Sequence, residues 1–429
     1  MSTTKRVAIL TGGGDVPGLN MCLKSLVYRL IETGYEPIGV RKGWEGLIAY
    51  NPDDPTTYSD HFIELTKNMV RPIDRTPGSY LHSSRLDPRH TPKRLTPLHL
   101  RDDKKETQDL TAHIKQVIER LGYRGVIVIG DDDALAYAAH LNSLGAPVVG
   151  IPKTIHNNIP GTDYTLGFST GLARGVAFIH ELRALAGSRE QMVVVETFAA
   201  KSGYSTLLMG LLAGVDRVLI PEVPYNPEDL AFVAVQDQRQ TPANYAVILV
   251  CDGAHPTGEA VEKYGAQLAL ASAPELDAAA GVEQPARKSR KLPFLGRIST
   301  AIDKMAGDEE AWMSGERLVG SGMVAAQLLA HITQEEVFLQ RLTYLLRTGS
   351  PDGQDLLGAV NFAFTAADLV HRGQFGRMAA FVKDRMWTDV DLGQVLSGSS
   401  TFDIDAWYDR KDYRPKLALI WSIGHGNAG

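Results

Sequence analysis

Two segments of this chain have residue types suited to binding a phosphate and a metal ion. Residues 11–15, Thr-Gly-Gly-Gly-Asp, follow an apolar run and precede a segment with helical spacing. Glycines let the backbone approach an anion, and a helix N-terminus directs its free N–H groups toward it. Asp131, Asp132 and Asp133 would repel one another unless a cation lies among them, which predicts Mg²⁺ with oxygen ligands. A plain turn and a solvated helix cap are the alternative interpretations.

The elements that must position these segments alternate between strands and helices. Runs rich in β-branched residues predict buried strands at 7–10, 125–129, 147–151, 192–196, 217–220 and 245–250. Helical spacing predicts helices between them, at 18–34, 133–143 and 171–186. This alternation predicts an α/β fold with mostly parallel sheets flanked by helices, and such sheets bind ligands at the carboxyl ends of their strands. Both candidate segments fall at such ends.

Two stretches interrupt the alternation. Residues 51–106 are rich in Pro, Asp, Arg and Thr, and we expect them to form a long excursion over the surface. Residues 268–292 resemble a linker or flexible loop and contain the basic run 287–291. That run is interpreted either as a solvated charge cluster or as a site for a phosphate or a neighbouring subunit.

Composition limits the class of protein. The 429 residues suffice for two or three packed domains. A net charge of −6 gives no general attraction to nucleic acid or anionic membranes, and the longest apolar run, 207–215, is too short to span a bilayer. The N-terminus lacks the apolar region of a signal peptide, and Cys22 and Cys251 do not have metal-binding spacing. We therefore expect a cytoplasmic protein that binds neither nucleic acid nor membrane.

Residues 152–158 carry the most specific motif. Their sequence, Pro-Lys-Thr-Ile-His-Asn-Asn, resembles the catalytic signature of the phosphofructokinase family, Pro-Gly/Lys-Thr-Ile-Asp-Asn-Asp. Further similar segments are 11–20, 43–47, 83–85, 162–168, 195–196, 220–222 and 347–351. The resemblance covers most of the chain from Val7 to Met378. It implies a phosphotransferase with an alcohol group as acceptor, assembled as a homodimer or homotetramer.

The resemblance also implies a domain organisation. We expect a donor-binding α/β domain at 1–152 and an acceptor-binding α/β domain at 153–378, with an insertion near 268–292. A C-terminal extension, 379–429, is expected to pack back on the first domain.

The family resemblance implies a site for the phosphoryl donor. The matching positions are Gly13, Asp15, Arg85, Asp133 and Lys153, with Asp132 at the family's metal-binding aspartate. Family members that use ATP have Gly at the positions of Asp133 and Lys153, whereas members that use inorganic pyrophosphate have Asp and Lys. The ammonium group of Lys153 can neutralise a diphosphate that brings no adenosine. The expected donor is therefore pyrophosphate with Mg²⁺, rather than ATP.

The resemblance implies an acceptor site as well, at Thr154, Glu222, Tyr344 and Arg347. The two carboxylates of the family signature are replaced here by His156 and Asn158. Because a neutral imidazole can accept a hydroxyl proton, His156 is the expected general base, a role worth about 10²–10⁴-fold in rate. Thr154 and Lys153 complete the expected catalytic set. In the alternative interpretation His156 is tolerated in an inactive site, and the chain is a non-catalytic, ligand-sensing or regulatory homologue.

Other acceptor positions depart from the family pattern. Residues 198–200, Phe-Ala-Ala, replace Met-Gly-Arg, and Gln191 and Phe338 replace two arginines that bind the sugar 6-phosphate. Three basic residues lie nearby in the sequence: Arg189, Lys201 and Arg341. They could rebuild a phosphate site, with Arg341 one helical turn from Phe338 if that segment is helical, or be ordinary surface charges. The expected acceptor is a sugar or sugar phosphate, either fructose 6-phosphate or a different one.

Overall fold

Strands and helices alternate along most of the chain. The computed structural model describes residues 5–271, 320–398 and 402–416, with the backbone alone for 266–271. The strands are β1 Lys5–Thr11, β2 Tyr35–Val40, β3 Phe62–Glu64, β4 Thr91–Pro92, β5 Thr107–Gln108, β6 Tyr123–Gly130, β7 Val148–Pro152, β8 Met192–Thr197, β9 Arg217–Leu219, β10 Ala246–Cys251, β11 Val337–Arg341, β12 Arg377–Val382, β13 Met386–Asp391, β14 Tyr408–Asp409 and β15 Arg414–Pro415.

The helices are α1 Leu19–Glu32, α2 Trp44–Ala49, α3 Tyr58–His61, α4 Lys67–Val70, α5 Thr111–Arg120, α6 Asp132–Ser143, α7 Phe168–Arg189, α8 Tyr204–Ala213, α9 Pro227–Gln240, α10 Gly258–Ala271, α11 Ser321–Thr333, α12 Gly353–Arg372 and α13 Ile404–Trp407. Short 3₁₀ helices span Pro55–Thr57, Ile73–Arg75, Pro88–His90, Lys93–Leu95, Leu98–Leu100, Thr343–Arg347 and Leu392–Ser397. Within the described residues, no helix has the length and apolar character needed to cross a membrane.

The first of two compact units contains residues 5–174 and 344–398. Its sheet has the strand order β13-β12-β7-β6-β1-β2-β3, and the five central strands are parallel. β1 and β6 are fully buried over most of their length because both faces of the sheet are covered, as expected for apolar parallel strands. This sheet brings the loops after β1, β6 and β7 to one edge, since these three strands are adjacent and parallel.

The second unit contains residues 175–271, 320–343 and 402–416. Its sheet has the order β11-β8-β10-β9, and all of its strand pairs are parallel. The hairpin β14–β15 packs onto this unit, where Tyr408 donates a 2.6 Å hydrogen bond to the carbonyl oxygen of Val218. Arg217 forms a buried ion pair with Asp237, and Arg414 of the hairpin joins the same carboxylate.

The predicted α/β fold with mostly parallel sheets is confirmed, including all six predicted strands and all three predicted helices. The expectation that residues 51–106 form a long excursion over the surface is wrong for β3. β3 pairs antiparallel with β2 at the edge of the first sheet, and Phe62 of β3 is buried in the core. The basic run 287–291 lies outside the described residues, as does most of 268–292.

The compact units divide the chain at points other than the expected domain boundaries. Residues 153–174 belong to the first unit because the segment after β7 hydrogen-bonds back to the same sheet, with the Lys153 N–H donating to the carbonyl oxygen of Gly130. β12 and β13 belong to the first sheet, whereas residues 402–416 pack on the second unit. The assignment of donor and acceptor binding to separate domains stays a prediction.

Candidate functional site

The loop after β1 contains Gly12, Gly13 and Gly14, and we call it the glycine loop. Its tight shape depends on these glycines. The N–H of Gly12 donates to the carbonyl oxygen of Ile129 (3.0 Å), and the N–H of Gly13 donates to that of Ser84 (2.9 Å). Gly13 has a φ of +82°, and a Cβ atom there would lie 1.8 Å from a carboxylate oxygen of Asp131. Gly13 is therefore required both by its left-handed backbone and by the closeness of Asp131.

The acidic segment after β6 begins helix α6. Asp131 is the N-cap, and its Oδ1 accepts a 3.2 Å hydrogen bond from the N–H of Ala134. Asp132 and Asp133 form the first turn, where the helix dipole stabilises negative charge. The helix-cap interpretation therefore accounts for Asp131, and Asp133 lines the same cavity as Gly13.

A cavity opens between these loops, and we call it the loop cavity. It is lined by Gly13, Trp44, Ser84, Arg85, Leu86, Asp87, Asp131, Asp133 and Ala134. Among the described residues, no three Asp, Glu, His or Cys side chains are grouped so that they could hold a metal by themselves. Mg²⁺ is commonly bound by one or two carboxylates, with substrate phosphates and water completing its shell. The carboxylates of the loop cavity fit that donor set.

Lys153 is fully buried at the end of β7. Its Nζ donates a 2.6 Å hydrogen bond to the carbonyl oxygen of Gly14, in the glycine loop. Burial lowers the pKa of Lys153 to about 8, while the charge of nearby Asp131 opposes that shift. Lys153 is thus a cation held inside the protein beside the backbone that is expected to bind phosphate.

Two arginines approach the same loop. A Cβ atom on Gly14 would lie 2.4 Å from Nη1 of Arg347 and 2.9 Å from Nη2 of Arg85. Together with Lys153, three cationic side chains surround the backbone of Gly14. Such a group of positive charges is suited to an anion with several charged oxygens, such as a diphosphate.

The segment after Lys153 is a loop held by its own hydrogen bonds. Thr165 donates from Oγ1 to the carbonyl oxygen of Thr154 (2.7 Å), and the N–H of Thr154 donates to the carbonyl oxygen of Leu166 (3.1 Å). Asn157 has a φ of +53°, and its side-chain amide donates to the carbonyl oxygen of Asp163 (3.0 Å). These bonds fix the loop that carries Thr154 and His156.

His156 is half-buried in this loop, and its backbone N–H donates to Oγ1 of Thr154 (3.2 Å). Its ring nitrogen Nδ1 is buried and has no hydrogen-bond partner among the described residues. Burial, followed by the positive charges of Arg347 and Arg85, lowers the pKa of His156 to about 3. The imidazole is therefore neutral at physiological pH, as the base hypothesis requires, but burial and the two arginines make it a weak base.

The other expected acceptor residues lie in different places. Tyr344 belongs to the first unit and is exposed. Glu222 belongs to the second unit, where its Oε1 accepts a 2.8 Å hydrogen bond from the N–H of Gly203. Its Oε2 is buried without a hydrogen-bond partner among the described residues, and burial raises the pKa of Glu222. Glu222 therefore has an oxygen that could accept a hydrogen bond from a ligand hydroxyl.

The departures from the family pattern have specific partners in the second unit. Gln191 donates from its amide to Oε2 of Glu336 (2.6 Å), so this position has a neutral side chain beside a carboxylate.

The segment around Phe338 is strand β11 and not a helix, so Phe338 and Arg341 point to opposite faces of the strand. Arg341 lies 3.5 Å from Glu196. The condition under which Arg341 would lie one helical turn from Phe338 is therefore not met. Arg189 and Lys201 are exposed.

Two residues of this region were not singled out from the sequence. Asp355, in the first turn of α12, is fully buried and accepts hydrogen bonds from Tyr164, Gly167 and Thr170. Trp44 lies on the wall of the loop cavity. The turn that contains Trp44 was noted as similar to the family, but nothing in the spacing showed that Trp44 lines a cavity. The only signal for Asp355 was its position shortly after 347–351.

Comparison with known proteins agrees with this geometry. The family model described as Phosphofructokinase matches residues 6–370. A pyrophosphate–fructose 6-phosphate 1-phosphotransferase of Dictyoglomus thermophilum is 30% identical over 405 residues, covering 94% of this chain and 96% of that protein. An ATP-dependent 6-phosphofructokinase of Chloroflexus aurantiacus is 29% identical over 379 residues, covering 88% of each chain.

The fold is also that of a solved structure. A pyrophosphate-dependent phosphofructokinase from Marinobacter aquaeolei superposes with a TM-score of 0.67 at 15% identity, over 97% of this chain and 89% of that one. The matched relatives act as phosphotransferases on a sugar hydroxyl, with either of two donors. The match to the family model and the similarity to these relatives place the chain in the phosphofructokinase family.

Proposed function

We propose that this protein transfers a phosphoryl group from Mg²⁺-bound pyrophosphate to a hydroxyl group of a sugar or sugar phosphate. The observation that carries the proposal is the buried Lys153, whose ammonium group lies on the glycine loop with Arg85 and Arg347. Pyrophosphate brings no nucleoside to contribute apolar contacts, so its binding depends on cations of this kind. Asp133 on the loop cavity supports the same donor because its bulk and charge oppose a nucleotide there.

The metal would be held by Asp132, as the family resemblance implies, and by carboxylates of the loop cavity such as Asp133. When bound, Mg²⁺ would neutralise phosphate charge and orient the diphosphate. Asp15 and Gly13 belong to the glycine loop, which would lie beside the bound diphosphate.

In the proposed reaction, the acceptor oxygen attacks the terminal phosphorus of pyrophosphate, and the bond to the bridging oxygen breaks to release orthophosphate. The acceptor hydroxyl proton passes to His156, whose imidazole is neutral. Thr154 positions the acceptor hydroxyl beside it. Lys153 and Arg347 stabilise the negative charge that develops on the transferring group and on orthophosphate. Tyr344 is proposed to bind the acceptor, and the role of Glu222 in acceptor binding stays a prediction from the family resemblance.

The acceptor need not be fructose 6-phosphate. The two positions where the family has 6-phosphate-binding arginines are Gln191, beside Glu336, and Phe338. This pair offers no positive charge to a phosphate. We therefore extend the proposal to sugars other than fructose 6-phosphate, and we include assembly as a homodimer or homotetramer in the cytoplasm.

The experiment that tests the proposal is an incubation with Mg²⁺, an acceptor and one donor, followed by phosphorus NMR. Fructose 6-phosphate and a panel of free sugars and sugar phosphates are each combined with pyrophosphate or with ATP. We expect orthophosphate and a new phosphate ester with pyrophosphate alone. Transfer from ATP and not from pyrophosphate would overturn the donor assignment.

One observation favours a second candidate, a non-catalytic homologue that senses a phosphorylated ligand. The pKa of His156 is lowered to about 3, which makes it a poor base, and Asn158 supplies no charge. If no donor and acceptor pair reacts, the double substitution His156→Asp with Asn158→Asp restores the family signature. Activity that appears only in this variant would support the sensor.

A further inference from the structure

A serine hydroxyl joins the glycine loop to the segment that carries Arg85. Oγ of Ser83 donates a 2.6 Å hydrogen bond to the carbonyl oxygen of Gly13 and lies 3.2 Å from the carbonyl oxygen of Thr11. The N–H of Gly13 donates in turn to the carbonyl oxygen of Ser84 (2.9 Å). Both backbone groups of Gly13 are therefore bound to the same short segment, and Ser83 supplies one of the two contacts.

The contact from Ser83 sets the direction of the next N–H group along the chain. No cis peptide bond occurs in the described part of the chain, and in a planar trans peptide the carbonyl oxygen and the following N–H point in opposite directions. Because Ser83 holds the carbonyl oxygen of Gly13, the N–H of Gly14 points away from Ser83. The carbonyl oxygen of Gly14 is held as well, by Nζ of Lys153 (2.6 Å). The peptide between Gly13 and Gly14 therefore cannot rotate without breaking the bond to Ser83.

The N–H of Gly14 is a donor that a ligand can use. It has no hydrogen-bond partner among the residues that the structure describes. Gly14 is only partly buried, whereas Gly12 and Gly13 are buried, so this part of the loop is the one within reach of a ligand. The three cationic side chains described above surround the same residue. An N–H group in such surroundings is suited to a charged oxygen.

We propose that Ser83 is a positioning residue of the donor site, whose hydroxyl holds the Gly13–Gly14 peptide so that the N–H of Gly14 donates a hydrogen bond to a phosphate oxygen of the donor. The inference rests on the proposed function, since it assigns a further residue to the binding of pyrophosphate. Without the hydroxyl, the two glycines allow the peptide to turn, and a carbonyl dipole would then face the anion. A donor that is already oriented increases affinity because it needs no reorientation when the ligand binds.

The first measurement uses the full-length wild type. Perdeuterated protein labelled with ¹⁵N and ¹³C is titrated with Mg²⁺ and pyrophosphate, without an acceptor, and the amide of Gly14 is assigned from triple-resonance spectra. We expect the amide proton of Gly14 to exchange readily with solvent in the free protein. On saturation with Mg-pyrophosphate this proton should move downfield, and its exchange should slow.

Variants then test the hydroxyl of Ser83 itself. Calorimetry of Ser83→Ala should show a dissociation constant for Mg-pyrophosphate raised about tenfold, and the Gly14 amide proton should no longer move downfield. Ser83→Thr keeps the hydroxyl and should restore both readouts. Ser143→Ala is the matched control, because Ser143 donates to the carbonyl oxygen of His140 (2.7 Å) in the last turn of α6. This variant should bind like the wild type.

The outcomes separate the two proposals. If the wild type binds pyrophosphate, but the Gly14 amide proton stays fixed or Ser83→Ala binds equally well, the role of Ser83 is overturned and the donor assignment stands. Equal weakening in Ser83→Thr and Ser83→Ala would also overturn it, since the hydroxyl would not be the cause. If the wild type binds no pyrophosphate at any accessible concentration, both proposals are overturned. Ser83→Cys, which replaces the hydroxyl by a weak donor of similar size, gives the same comparison if Ser83→Ala is less stable.

Discussion

The ammonium nitrogen of Lys153 donates a 2.6 Å hydrogen bond to the carbonyl oxygen of Gly14, and Lys153 is fully buried. These two residues lie 139 positions apart in the sequence, at the ends of β7 and β1. A buried ammonium with one neutral acceptor is costly, and its pKa is lowered accordingly. An incoming anion would offset this cost, so the contact links the fold of the first unit to ligand binding.

Replacing Lys153 by Met should weaken pyrophosphate binding sharply. Met keeps most of the volume of the side chain but removes the charge, so the loss reports on the charge–phosphate interaction. We expect the dissociation constant of Mg-pyrophosphate, measured by calorimetry, to rise about 10–100-fold. Lys67→Met removes a half-exposed lysine that pairs with Glu32, and it should leave the affinity unchanged. An unchanged affinity in Lys153→Met would refute the donor assignment.

Pyrophosphate binding should weaken as the pH rises through about 8, where free Lys153 loses its proton. Each further pH unit should lower the affinity by up to about tenfold, because binding must then recover the proton. Calorimetry of the wild type and Lys153→Met between pH 7 and 10 separates this effect from ionisation of the ligand. A pH dependence identical in both proteins would show that deprotonation of Lys153 does not weaken pyrophosphate binding.

The same lowered pKa has an opposite effect on stability. Between about pH 8 and the ordinary lysine value near 10.4, the unfolded chain binds the proton and the folded protein does not. The contribution of Lys153 to the free energy of unfolding therefore increases with pH over this range. Urea denaturation should therefore show the wild type gaining stability relative to Lys153→Met as the pH rises.

Binding of pyrophosphate should raise the pKa of His156. Burial and the charges of Arg347 and Arg85 lower that pKa to about 3, and a bound anion offsets the charges. The ring signals of His156, assigned with His156→Gln, should therefore not titrate between about pH 5 and 8 in the free protein. With saturating Mg-pyrophosphate their midpoint should move upward. A free-protein midpoint near the ordinary value of about 6.5 would show that neither burial nor the arginines lower the pKa of His156.

His156 also affects stability in acid. Because its folded pKa is lowered, the unfolded chain takes up a proton that the folded protein does not, from about pH 6.5 downward. The contribution of His156 to stability is therefore lost as the pH falls through that range. His156→Gln should lose less stability than the wild type between pH 7 and 5.

How well the sequence predicts the structure depends on how far apart along the chain the interacting residues lie. The six predicted strands were found because a buried parallel strand is a continuous apolar run, visible within a few residues. β3 has three residues and pairs at the sheet edge, so its pattern is too short to detect. The segment of β11 was not among the predicted strands, and a helix there was considered only as a condition; the observed strand decides where Arg341 points.

The site shows the same limit. Motifs located Lys153, Arg85 and Arg347 separately, but only the fold shows that all three meet at Gly14. The pKa of His156 is lowered first by its burial and then by the charges of Arg347 and Arg85, and neither cause has a local sequence signal. Trp44 was part of a noted turn, and its unpaired N–H appears only when Tyr137 and the glycine loop pack around it.

Two substitutions should change the preferred donor from pyrophosphate to ATP. Asp133→Gly with Lys153→Gly reproduces the pattern of family members that use ATP. We expect the double variant to bind pyrophosphate at least about tenfold more weakly and to gain ATP binding, since charge and bulk at the cavity are both removed. Calorimetry with each donor measures the change, and each single variant shows which residue contributes. Tight pyrophosphate binding by the double variant would assign donor choice to other residues.

Asp355 should be essential for the stability of the first unit. Its carboxylate accepts from the Tyr164 hydroxyl (2.5 Å) and from the N–H groups of Gly167 (2.7 Å) and Thr170 (2.8 Å). In Asp355→Asn, the amide NH₂ must face at least one of these donors, so we expect a loss of about 3 kcal/mol in the free energy of unfolding. Tyr164→Phe removes one hydrogen bond and should cost about 1 kcal/mol.

The effect of Asp355 should also reach His156. Thr165 and Leu166 lie between the residues that Asp355 holds, and both hydrogen-bond to Thr154. The ring signals of His156 should therefore shift more in Asp355→Asn than in Tyr164→Phe. Equal stabilities of Asp355→Asn and the wild type in urea denaturation would show that this carboxylate does not hold the loop.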